Sequence, residues 1–141
     1  MELKTATARV YDALCAAESL RQNAVIYAFP YADKPTRLKE TVLAVEQAEL
    51  EAESSAIGAP RQYGRICVTV GVYAPLNAGE ASLREAAGAA VSAVSSLMPC
   101  AIGVSATEAD EGTQCLFCRC RFSFSFVTEE TEDAYGRNAD G

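Results

Sequence analysis

The stretch from Cys115 to Thr128 alternates strictly. Leu116, Cys118, Cys120, Phe122, Phe124 and Phe126 occupy one parity, and Phe117, Arg119, Arg121, Ser123 and Ser125 the other. Successive side chains of a strand point to opposite faces, so a two-residue period this long specifies a strand with one buried face. The other face is mainly exposed or meets another surface. Residues 65–73 repeat the signature, with Ile66, Val68, Val70 and Val72 against Cys67, Thr69, Gly71 and Tyr73. Two such strands need a cover over the apolar face, and two segments of helical period supply it. Residues 3–20 carry Leu3, Ala6, Val10, Ala13, Leu14 and Ala17 on one stripe. Residues 80–98 carry Leu83, Ala86, Ala87, Ala90, Val91, Val94, Leu97 and Met98, ended by Pro99. The alanines allow this second helix to approach a sheet closely.

The remaining elements follow from local signals. Val25, Ile26, Tyr27 and Phe29 suit a strand over residues 24–29, and the two prolines of residues 30–36 predict an ordered loop. Residues 38–52 combine Thr41, Val42, Leu43 and Val45 with a run of helix formers from Glu46, and read as a strand. Residues 54–64, with two glycines, a proline and two serines, predict a loop. Residues 102–107 predict a strand, followed by an acidic turn at 108–112. The order is helix, three strands, helix, two strands. The expected fold is α+β: a mainly antiparallel sheet of about five strands with two helices on one face. One domain would span 1–128, with residues 129–141 an acidic, disordered tail.

Composition excludes more than it assigns. The 141-residue chain contains no histidine, which removes Ser-His-Asp and Cys-His nucleophile systems and imidazole ligands. Its net charge of −7, with no basic patch interleaved with aromatics, argues against sequence-specific nucleic-acid binding. No apolar run is long enough for a leader or membrane span, so the expected location is the cytoplasm of the producing cell, with its six cysteines as thiols.

Chemistry-bearing patterns are few. Cys115, Cys118 and Cys120, with Cys67 and Cys100 as further donors, form the one arrangement near a thiolate metal site. On a strand, however, Cys118 and Cys120 share a face and Cys115 points away, so the expectation is buried thiols with no metal and no cofactor. The acidic clusters Glu46, Glu49, Glu51, Glu53 and Glu108, Asp110, Glu111 read as solvated surface rather than a catalytic carboxylate pair. No catalytic residue is assigned. The candidate site is a protein interface. Phe29, Pro30, Tyr31, Pro35 and Arg37 lie in the proline loop, Tyr73 and Pro75 at a strand end, and Arg119 and Arg121 on the less apolar face of the last strand. The two arginines would pair with an acidic surface on a neighbouring copy or remain solvated.

Residues 24–38 (AVIYAFPYADKPTRL), the strand at 40–45, residues 63–79 (YGRICVTVGVYAPLNAG) with the helix after them, and the strand at 115–127 together resemble the bacteriophage and prophage tail terminator family of minor tail, head–tail joining proteins. The resemblance spans residues 3–128 and includes a strand ending in Tyr-x-Pro before a helix. It implies a non-enzymatic virion-assembly protein. Such a protein forms a ring, commonly of six copies, on the tail tube, and its partners are itself, the tube and the head connector. The loop at 29–37 and the segment 73–75 would then lie near subunit or tail contacts. The cysteine-rich last strand matches no pattern of that family. Rival readings are another neck or head-completion protein, a small-molecule enzyme, or a cysteine-ligated metal module.

Overall fold

The computed structural model describes residues 3–27, 39–53, 61–97, 99–112 and 114–129. Its spine is a pair of fifteen-residue strands, β4 (Arg61–Pro75) and β7 (Cys115–Glu129), antiparallel over their full length from Arg61↔Glu129 to Pro75↔Cys115. At about 3.4 Å per residue this ribbon is ~50 Å long. The alternation of both strands sets its faces. Ile66↔Phe124, Val68↔Phe122, Val70↔Cys120 and Val72↔Cys118 are in register and all buried.

Two helices cover that apolar face. α1 (Leu3–Ala16) buries Ala6, Val10 and Leu14, each four residues from the next, and packs on the sheet and on the second helix. α2 (Gly79–Leu97) buries Leu83, Ala86, Ala87, Ala90 and Val94 against β4 and β7. A short 3₁₀ turn, Leu76–Ala78, leads into α2 through Gly79 at φ 85°. A side chain would find open space there but a strained backbone, so the conformation is what selects glycine.

The described residues form a sheet of seven segments, with the path β1 (Ala24–Tyr27), β2 (Val42–Val45), β4, β7 and β5 (Ala101–Val104). β3 (Glu49–Glu53) also pairs with β4, and β6 (Glu108–Asp110) with β7. β2 and β3 lie end to end along one edge of β4, as β5 and β6 do along the outer edge of β7. The seven segments therefore occupy five lanes. Each shared lane is interrupted by one extra residue. Four positions separate Val45 from Glu49 where β4 uses three, and four separate Val104 from Glu108 where β7 uses three. These are bulges, which bend the outer strands around the twisted spine.

Several boundaries differ from those expected. The strand at 38–52 is two strands broken by a bulge, and the run of helix formers after Glu46 becomes β3 because β4 offers it an edge. The loop expected at 54–64 gives way by Arg61, where β4 begins; residues 54–60 lie outside the described residues. The acidic segment 108–112 is not wholly a turn, since residues 108–110 pair with β7 as β6. The turn proper is closed by Asp110 Oδ1, which accepts the Gly112 backbone N–H at 3.0 Å. β1 runs parallel to β2, the one parallel pair among the described strands. Glu129, expected in the tail, ends β7, and residues 130–141 lie outside the described residues. No described helix is long and apolar enough to cross a membrane.

Candidate functional site: the open face of the sheet

The face away from the helices changes character along its length. At one end Val42, Ala44, Tyr73 and Cys115 are buried, with Ala24, Ile26 and Phe117 packed against them. Register explains the gathering: Ala44 stands beside Gly71, and Tyr73 beside Phe117. The Tyr73 ring lies back over Gly71, where an added Cβ would come within 2.8 Å of Tyr73 Cε1. It also stacks on Phe117 with centroids 5.8 Å apart. Burial pushes the Tyr73 hydroxyl pKa up, partly opposed by the positive charge of Arg119.

Next along β7, charge replaces the apolar cluster. Arg119 places its guanidinium carbon 5.2 Å from the Phe117 ring centroid, and its Nε lies 3.5 Å from Glu46 Oε2. Arg121 Nη2 lies 3.2 Å from the buried Cys67 Sγ and 4.0 Å from Glu49 Oε1. Both arginine side chains are about half exposed, so each ion pair contributes at most about 1 kcal/mol. Beyond them Arg65, Ser123 and Ser125 border an open groove of about 660 Å³, whose other wall is Pro99, Cys100 and Ala101. Partial burial raises the Cys100 thiol pKa.

The structure brings Arg119 and Arg121 together on one exposed surface with Phe117 and two glutamates. Tyr73 and Pro75 are buried within the chain and help form the floor of that face. Phe29, Pro30, Tyr31, Pro35 and Arg37 lie outside the described residues. Sequence reading did not identify Glu46 and Glu49 as the arginines' partners. The every-second-residue spacing of Glu49, Glu51 and Glu53 was the available signal, since it is a strand pattern.

The cysteines divide between the two faces. Cys115 sits in the open-face cluster, while Cys118 and Cys120 are fully buried in the helix-side core. Among the described residues no three His, Cys, Asp or Glu side chains converge on a point that could hold a metal. Cys118 and Cys120 interact with each other instead. Hydrogen bonding from Cys120 lowers the Cys118 pKa to about 7 against its burial, helped by the nearby Arg84 charge, and Cys120 is correspondingly raised. Arg84 is itself anchored, with Nη1 donating to the Ser105 carbonyl at 3.0 Å. That contact and the bond from the Arg119 backbone N–H to Ser105 Oγ at 2.9 Å hold the bulge between β5 and β6.

No family model matches this sequence, and no curated protein matches it. Among solved structures, the fold is similar to that of a chain in the virion of a native gene transfer agent (GTA) particle. The TM-score is 0.57 at 20% identity, covering 83% of this chain and 90% of that one. The likeness is one of fold, and it extends over nearly the whole of both chains.

Proposed function

We propose that this chain is a structural protein of a phage-like virion, and that it acts as a tail terminator, a ring capping the tail tube and joining it to the head. The observation that carries the reading is the fold shared with the gene transfer agent virion chain across 90% of that chain's length. The element order that suggested the tail terminator family, with an N-terminal helix, a strand ending in Tyr-x-Pro and a second helix, supports the narrower role. The work of such a protein is done by surfaces. The ladder of Arg119, Arg121, Glu46 and Glu49 is polar, directional and held on β7, β3 and the bulge before β3, which suits a contact made and set in register during assembly. The partners on this reading are further copies, six being the usual number in the tail terminator family, together with the tube and head-connector proteins. An acidic ring of chains each carrying −7 would also resist adhering to DNA passing through its lumen.

The test is the mass of the native particle by light scattering over a concentration series, with zinc assayed on the same sample. Concentration-dependent growth to a closed ring, with or without added tail tube protein, is the expected result. A strict monomer under all these conditions, carrying stoichiometric zinc, would overturn the proposal and return attention to the cysteines.

A further inference from the structure

Hydrogen-bond polarity along the spine can be read residue by residue. The Glu46 backbone N–H donates to the Thr69 carbonyl, and the Ser105 N–H to the Arg119 carbonyl. In antiparallel ladders consecutive residues send their backbone groups to opposite sides. The odd residues of β7 therefore point to its outer edge, and the odd residues of β4 toward β2 and β3. β5 meets β7 only as far as Ala101↔Ser123. From residue 124 to 129 no described strand occupies the outer edge of β7, and the backbone groups of Ser125 and Val127 face outward there. On the opposite side of the same end of the ribbon, β3 pairs with β4 from Glu49↔Cys67 to Glu53↔Tyr63, and no described strand lies beyond it. The outward backbone groups of β3 are those of Leu50 and Ala52.

We infer that β3 of one copy pairs with the outer edge of β7 at residues 124–129, which no described strand occupies, in the next copy, joining the subunits head to tail through a continuous sheet. The inference rests on the ring reading above and names the contact that would build it.

Three observations select this occupant. The lengths match, with five residues in β3 against six on the edge that no described strand occupies. The heights match too: β3 spans the level of β4 residues 63–67, which is the level of β7 residues 123–127. A contact between two edges at one height adds no rise from copy to copy, which favours a closed ring over a climbing filament. Finally, the faces match. On the helix side β3 offers Leu50, 52% exposed, and the receiving edge has Ile102 of the adjoining β5, 40% exposed. On the open side β3 offers Glu49, and the receiving groove has Arg65, Ser123 and Ser125. β3 and β7 run in the same direction, so copies rotated about an axis along the strands would pair them in parallel.

The experiment uses two charge-reversed full-length chains, Glu49→Arg and Arg65→Glu, measured alone and mixed by native mass spectrometry beside the wild type. Both positions are exposed, and unchanged circular dichroism would establish that each variant folds. Each alone should need at least tenfold more protein to assemble, because every junction then sets like charges together. The equimolar mixture should recover wild-type assembly as an alternating ring, since each junction regains opposite charges. Rescue only in the mixture separates a contact between chains from one within a chain. Wild-type rings with variants that assemble equally well would overturn this inference and leave the ring standing. A two-fold dimer through β7 alone would also overturn it. A wild type that never assembles would overturn both.

Discussion

The two faces of the β4–β7 ribbon are built from alternate residues of the same strands, yet they differ in kind. On the helix side Val68, Val70, Val72, Cys118, Cys120 and Phe122 are all sealed at 0% exposure beneath α1 and α2. On the open side the same strands place an aromatic pair and two half-exposed arginines, whose glutamate partners come from the bulge before β3 and from β3 itself. The helix side stabilises by removing apolar area from water and tolerates little change of volume. The open side stabilises mainly at its buried end around Tyr73, while its half-exposed arginine ion pairs contribute little and present charge at the surface. Core and open face are thus separated by a single residue of register, which a two-residue period makes possible.

The largest break in this comparison should come from Phe122→Ala. It opens a cavity at the centre of the helix-side core and should cost about 3–5 kcal/mol in urea unfolding. An equally large loss from Phe117→Ala on the other face would erase the distinction. Gly71→Ala should cost about 1–3 kcal/mol, because the new methyl displaces the Tyr73 ring. If that is the mechanism, adding Tyr73→Leu should recover part of the loss rather than compound it, as a double-mutant cycle would reveal. Arg119→Ala should change stability by no more than about 1 kcal/mol while weakening assembly, the reverse of the Phe122 result.

The smallest expected effect concerns pH. Cys118 is lowered from 9.0 to about 7 in the fold, so its contribution is present above the unfolded value and is lost as pH falls through about 7. Cys120 is raised, so its contribution is complete below 9.0 and fades above it as the unfolded thiol ionises. Melting temperature should therefore rise from pH 6.5 toward 9 and decline beyond. Arg84→Met should blunt the rise by pushing the Cys118 thiol back up. A profile flat across this range would show that the two thiols do not share a proton in the way their contact implies.

The parts of the fold legible in the sequence were those with a sustained period. Both helices, the apolar parities of β4 and β7, and the α+β class follow from spacing alone, because burial on one face leaves a repeating mark. The five-lane sheet was also within reach. Its seven segments were not, since a bulge adds one residue without changing composition, and the Glu-rich β3 looks like a helix until β4 presents an edge. The parallel pairing of β1 and β2 likewise depends on long-range topology. On the open face, Arg119 and Arg121 were legible as the polar parity of an otherwise apolar strand. Tyr73 was not, because an aromatic residue at a strand end reads alike whether it projects outward or folds back over a glycine.

The most direct measurement is the number of copies in the assembled wild-type particle, counted by native mass spectrometry and imaged by electron microscopy. The account predicts one closed ring of fixed copy number with a central lumen, growing from monomers without a stable two-fold dimer. A dimer that persists at every concentration, or a monomer that never assembles even beside a tail tube, would contradict it.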